Sequence, residues 1–160
     1  TEVFDAIATL IRRSRSEGRE VVMLSAFPAD DRWVIDIMRR AGSPDLEYVA
    51  GYADIDETMH LLASAEVVVA ERLHAAIMAA AAGTPFVGLE YRPKLRDFAR
   101  SIDQEAAIVR TDQIEELGRV FDRVTANRET LGEKLVARVS EFRALQADAA
   151  ERLRSALDTR

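Results

Sequence analysis

The apolar positions of the chain change period repeatedly, and each change predicts an element. From Glu2 to about Arg15, Val3, Phe4, Ile7, Leu10 and Ile11 recur at helical spacing, and Ser16-Glu17-Gly18 closes that helix. Val21-Val22-Met23-Leu24 is a continuous apolar run of strand length that ends at Ser25-Ala26-Phe27-Pro28. Asp30 or Asp31 can cap the next helix, which carries Trp33, Val34, Ile37 and Met38 to Gly42. Leu46-Glu47-Tyr48-Val49 predicts a shorter strand. Asp54 or Asp56 then starts a helix through Met59, Leu61 and Leu62, with His60 as a surface or packing residue. Val67-Val68-Val69-Ala70 is β-branched and apolar, as a strand buried on both faces would be. The alanine-rich run opened by Glu71-Arg72-Leu73-His74 continues as a helix to about Ala82. Gly83 suits the left-handed residue that ends it, and Pro85 prevents its resumption. Phe86-Val87-Gly88-Leu89-Glu90 is the next strand, and Tyr91-Arg92-Pro93-Lys94 repeats the strand-to-helix turn with Pro93 in the first helical turn. A weak fifth strand follows at Ala107-Ile108-Val109. Asp112 begins a helix through Ile114, Leu117, Val120, Phe121 and Val124, and one long helix runs from about Glu129 to Leu157.

Five alternations of strand and helix imply parallel βαβ units. The expected fold is a Rossmann-like three-layer α/β/α sandwich over residues 1–160. It has one five-stranded parallel sheet in the order 2-1-3-4-5, with the strand at 21–26 between those at 47–50 and 67–70, and a long C-terminal helix. No G-x-G-x-x-G follows the first strand, so the pattern does not point to a dinucleotide. A helix of about 30 residues is longer than a domain of this size can cover, so its last turns are expected to reach another domain, another subunit or solvent.

Composition narrows the chemistry. A chain of 160 residues with a net charge of −6 is long enough for one core and is no general binder of nucleic acid or membrane surface. There are no cysteines, hence no disulfide and no thiolate metal site. No apolar run approaches membrane-spanning length and no signal peptide is present, which makes a cytoplasmic setting the expectation. The chain begins at Thr1, inside a predicted helix, as an excised domain would.

Against that acidic background the cations at the two turns stand out. Consecutive parallel strands place their carboxyl ends on one edge, where open α/β sheets bind ligands. Arg72, His74, Arg92 and Lys94 all fall at strand-to-helix junctions on that edge. Helix N-termini mildly disfavour cations, so such a set makes sense around an anion that also meets free backbone N–H groups. The plainer alternative is that Arg72 and Arg92 form surface ion pairs with Glu71 and Glu90. Asp31, on the same edge, reads as a helix cap before it reads as a catalytic base.

The same residues carry a family resemblance. Arg72-Leu73-His74-Ala75, then Gly83-Thr84-Pro85, then Tyr91-x-Pro-Lys94 with Phe98 resembles the signature of the polysaccharide pyruvyl transferases. The motif parts cover about a fifth of the chain, and the remainder agrees in element order. The resemblance implies transfer of a pyruvyl unit from phosphoenolpyruvate onto a pair of sugar hydroxyls as a ketal. It also implies the C-terminal half of a two-domain, glycosyltransferase-B-like enzyme. Ketal formation needs an acceptor placed against the donor, and no second site for a sugar is evident, so the isolated chain is expected to be inactive. The substrate-binding set it implies is Arg72, Leu73, His74, Arg92 and Lys94. Within it Arg72 holds the donor carboxylate or phosphate, Lys94 supports it, and His74 is the general acid/base or a phosphate donor, because imidazole can give and take protons near neutral pH. Glu71 could orient Arg72 or His74. No metal and no cofactor beyond the phosphoenolpyruvate substrate are expected. The implied partners are a sugar or polysaccharide acceptor and either a missing N-terminal domain or a second copy along the terminal helix. A nucleotide-sugar-binding half of a glycosyltransferase or epimerase, and a non-catalytic assembly domain, are the competing readings.

Overall fold

A computed structural model describes residues 2–158, so Thr1, at the expected point of excision, lies outside it. In chain order the elements are α1 (Glu2–Ser16), β1 (Val22–Ser25), α2 (Asp31–Arg40), β2 (Glu47–Ala50), α3 (Ile55–Ser64), β3 (Val68–Ala70) and α4 (Leu73–Ala81). They continue with β4 (Phe86–Glu90), α5 (Pro93–Ser101), β5 (Ile108–Arg110), α6 (Leu117–Ala126) and α7 (Arg128–Asp158). No helix among the described residues is long and apolar enough to cross a membrane.

All strand pairings are parallel, but the single five-stranded sheet expected from the alternation does not form. β1 pairs with β2, from Val22 opposite Glu47 to Ser25 opposite Ala50. Separately, β3 pairs with β4, which pairs with β5. Among the described residues no ladder joins β1 to β3. Burial shows the consequence. β4 is buried along its whole length, whereas Val22, Met23 and Leu24 of β1 and Val68 and Val69 of β3 are half-buried, as edge strands are. The two halves are held by side chains instead. α1 contributes Leu10 and Ile7 to a cluster with Val67, Val69 and Val87, and Ala8 and Ile11 to another with Val21, Met23 and Ile37. Apolar periodicity predicts strands and their direction; whether two short strands come close enough to exchange backbone hydrogen bonds depends on the helix packed across them.

The three-stranded sheet does have helices on both faces, for the reason pleating gives. Val87 and Leu89 of β4 point to α6, meeting Leu117, Val120, Phe121 and Val124. Phe86 points the other way, to Ala75, Ala76, Ala79 and Ala80 of α4 and Leu95 and Ala99 of α5. The first helix-starting aspartate after β2 is Asp54, whose carboxylate accepts from the N–H groups of Asp56 and Glu57. At Asp112 the expected helix is instead a 3-10 segment, Thr111–Glu116, broken at Gln113 (φ −133°), and regular helix starts only at Leu117.

α4 stops where the sequence predicts. Gly83 has φ of 78°, its N–H donates to the Ala80 carbonyl and that of Thr84 to Ala79. α7 docks on this turn and on α4 through Leu135, which is fully buried, and then leaves the domain: Leu145, Leu153 and Leu157 are each 63% exposed. Replacing Gly83 by alanine forces a side chain into the left-handed region and brings its Cβ within 2.8 Å of Val136 Cγ2. We expect Gly83→Ala to lower the unfolding free energy by about 1–2 kcal/mol in urea titrations. Gly18→Ala, at φ of 79° with nothing within 4 Å of its Cβ, should cost less.

Candidate functional site at the carboxyl edge

The site is built from three turns that leave strands at their carboxyl ends. After β1 the chain passes through Ala26 and Phe27 into a 3-10 turn, Pro28–Asp30, whose entry residue Phe27 is extended. The Phe27 carbonyl accepts from Ser25 Oγ (2.9 Å) and from the Asp30 N–H (2.9 Å), and this fixes where Asp30 points. After β3, Arg72 occupies the N-cap position of α4 without capping it. Its side chain reaches across to Asp30 instead: Nε donates to Oδ2 at 2.7 Å and Nη2 donates to Oδ1. After β4, Tyr91 offers its hydroxyl oxygen to Arg72 Nη1 at 3.3 Å.

This pair raises the already high pKa of Arg72, chiefly through the hydrogen bonds to Asp30, so the guanidinium is cationic at every relevant pH. A guanidinium has five N–H donors. Asp30 takes one from Nε and one from Nη2, and Tyr91 takes one from Nη1. One donor remains on each terminal nitrogen, enough for a second fork. Arg72 lines a cavity of about 230 Å³ together with His74, Ala26 and Phe27. His74 is in the first turn of α4 and exposed. A larger cleft, of about 510 Å³, lies beside β5 and α6, but its arginines are spent: Arg110 on Asp112, Arg119 on Glu116, and Arg123 on the Ala106 carbonyl.

Of the residues expected from the sequence, the cavity brings together Arg72 and His74. Arg92, at the N-cap position of α5, holds its guanidinium 5.6 Å from the centre of the Tyr91 ring, one side chain away from Arg72. Lys94 is exposed in the first turn of α5, outside the cavity lining and without an ion-pair partner among the described residues. Leu73 is half-buried and packs on the alanine-rich core. The ion-pair alternative fails in its named partners. Arg72 pairs with Asp30 and not Glu71, and the buried Glu90 pairs at 3.4 Å with Arg96 and not Arg92. Crowding by the surrounding chain pushes the Glu71 carboxyl above its ordinary pKa, with Arg72 pulling it down and Asp30 up, although much of its surface is open to solvent.

Sequence reasoning missed Asp30, Phe27 and Tyr91 as parts of the site. Asp30 and Asp31 read there as alternative caps; neither side chain caps α2. Asp31 Oδ2 accepts from the Tyr52 hydroxyl at 2.8 Å. The hydroxyls of Ser25, Tyr48 and Tyr52 surround its carboxylate and hold its pKa below the ordinary aspartate value. Burial, and then Asp31 itself, push the Tyr48 hydroxyl up to about 12. Tyr48 Oη and Asp31 Oδ1 are both buried and stop short of good hydrogen-bond geometry. For Asp30 the signal in the sequence was that two adjacent aspartates follow a strand's carboxyl end, and for Tyr91 it was its place in the Tyr91-x-Pro-Lys94 part of the motif.

A depressed folded-state pKa means that ionised Asp31 contributes stability above the unfolded-state value of 3.8, and that this is lost as pH falls through the folded value. We therefore expect the stability gap between the wild type and Asp31→Asn to be constant from neutrality to about pH 5 and to narrow below about pH 4, by denaturant titration at each pH.

Comparison with known proteins bears on this edge. The family model for polysaccharide pyruvyl transferase matches residues 2–93, more than half of the chain. The match takes in the Asp30 turn, Arg72-Leu73-His74 and Tyr91, extends well beyond the motif parts, and ends one residue before Lys94. No curated protein matches the chain significantly. Nor does any solved structure.

Proposed function

The chain belongs to the polysaccharide pyruvyl transferase family, and from that premise we propose that the Arg72–His74 cavity binds phosphoenolpyruvate and delivers its pyruvyl unit to two hydroxyls of an acceptor sugar. The observation that carries the reading is that two residues of the motif line one cavity, with Arg72 immobilised on Asp30 and two N–H groups unspent. Phosphoenolpyruvate presents a carboxylate and a phosphate close together. A planar guanidinium fork suits either one, bidentately.

The reaction asks little more of the chain than placed charge and a proton. His74 gives a proton to the methylene carbon, which becomes the methyl group and leaves C2 electron-poor. One sugar hydroxyl forms a C–O bond to C2 and loses its proton to the imidazole. The C2–O bond to phosphate breaks, the second hydroxyl closes the ketal, and its proton leaves with the phosphate. Of the two hydroxyl protons, one therefore ends on the methyl group and one on phosphate. Arg72 stabilises the donor's negative charge throughout. Arg92 and Lys94, without acidic partners on the same edge, add longer-range attraction. Most of the acceptor is held by a further domain or a second copy, in the manner of glycosyltransferase-B-like enzymes, so this chain supplies chiefly the donor-binding side.

Arg72→Ala and His74→Ala should each lower pyruvyl transfer by about two to four orders of magnitude in protein that still folds, Arg72→Ala being modestly less stable because Asp30 loses its partner. Arg72→Lys should recover little, because a point charge cannot both satisfy Asp30 and fork onto the donor. Retained transfer in a well-folded variant removes that residue from the mechanism.

Calorimetry tests the donor alone. The chain should bind phosphoenolpyruvate with millimolar to high-micromolar affinity, roughly −4 to −6 kcal/mol, and more weakly as salt rises. Arg72→Ala and Lys94→Ala should weaken it, whereas Arg39→Ala, on α2, should not. Equal losses from all three would mean general charge attraction and no site.

A further inference from the structure

We infer that Phe27 is the platform on which a sugar ring of the acceptor stacks, at the mouth of the Arg72–His74 cavity; this rests on the transfer reading above. Phe27 lines that cavity and is 57% exposed. A single exposed apolar residue is ordinary on a protein surface. This one differs in its mounting and in its neighbours.

The mounting is rigid. The Phe27 carbonyl accepts two hydrogen bonds, one from Ser25 Oγ and one from the Asp30 N–H. Ser25 is 1% exposed. The Tyr52 hydroxyl donates to the Asp31 carboxylate, next to Asp30 at the start of α2. Hydrogen bonds from the buried Ser25 and from the Asp30 backbone therefore fix the turn, while more than half of Phe27 stands in solvent.

The neighbours single the ring out. Tyr91 is also exposed at this edge, but its ring carries the Arg92 guanidinium and its hydroxyl meets Arg72. Trp33 carries Arg32 at 4.2 Å and packs on Phe4. The Tyr52 hydroxyl is committed to Asp31. Among the described residues Phe27 has no aromatic or cationic neighbour on its ring, and it is the exposed aromatic that lines the cavity. A small, multiply charged donor has no use for such a surface. A pyranose does: its C–H face is apolar while its hydroxyls project around the edge, so stacking on a phenyl ring turns that edge toward Arg72 and His74. Two hydroxyls of one sugar must reach the same carbon, so a platform that fixes the ring face also selects which pair reacts.

The test is saturation-transfer NMR on the protein with methyl β-galactopyranoside, methyl α-mannopyranoside and methyl β-glucopyranoside as probes, beside calorimetry with phosphoenolpyruvate on the same samples. In the wild type, at least one glycoside should receive saturation mainly at the C–H protons of one ring face. Phe27→Ala should weaken that glycoside roughly three- to tenfold, Phe27→Trp should restore it, and Phe27→Leu should not, because it keeps apolar volume without a flat face. Phosphoenolpyruvate affinity should stay within about twofold in all three variants. The inference is overturned if no glycoside binds the wild type, if Phe27→Ala binds it as well as the wild type does, or if donor and sugar weaken together. Failure of the wild type to bind phosphoenolpyruvate sinks the donor reading separately and leaves the glycoside result standing on its own.

Discussion

The contact between Arg72 and Asp30 joins what the backbone leaves apart. β1 and β3 share no ladder, and the two residues, 42 positions apart in sequence, lie just past the carboxyl ends of those strands. Most of the Asp30 side chain is out of solvent while 43% of that of Arg72 is exposed. Such a pair is screened and contributes modestly to stability. Its larger effect is geometric: two parallel hydrogen bonds fix the plane of the guanidinium, not merely its position. Whatever enters the cavity meets a fork already oriented, with less side-chain freedom left to lose on binding.

The arrangement also explains why this arginine tolerates a helix N-terminus. The positive end of α4 disfavours a cation there, and no carboxylate of α4's first turn offsets it. The compensating charge comes from the other half of the molecule, through Asp30. Asp30 neutralises Arg72 in part and leaves room for a second anion, because one carboxylate cannot saturate five donors. Tyr91 then closes the third side, and its own turn is anchored from beneath by the buried Glu90, which pairs with Arg96 of α5.

These two levels separate what was legible in the sequence from what was not. Local chemistry was legible: the Gly83 turn, the alanine face of α4, Pro93 at the start of α5, and the unbroken period of α7 each depend on a few neighbouring residues. The cationic turns and their common edge followed from strand direction alone. The missing ladder between β1 and β3 was not legible, because two apolar runs look the same whether their backbones pair or are bridged by α1. The partner of Arg72 was not legible either. Glu71 is its neighbour in sequence, whereas Asp30 becomes its neighbour only once the 3-10 turn after β1 has formed. Phe27 escaped for a related reason: in the segment where a strand ends, nothing in the sequence says which way a side chain points until the turn has formed.

A net charge of −6 makes the placement of these few cations consequential. Many of the arginines elsewhere are paired within a turn or two of themselves, as in Arg40 with Asp36, Arg138 with Glu141 and Arg152 with Asp148. Such pairs cancel locally and project little field. At the carboxyl edge, Arg92 and Lys94 have no acidic partner among the described residues, and Arg72 is only half satisfied. An anion approaching an otherwise repulsive surface is therefore drawn toward the edge, where two helices also begin. The acidic background and the cationic edge work together: the first discourages adsorption elsewhere, and the second gives the anion a place where guanidinium N–H groups and helix ends can replace its lost hydration.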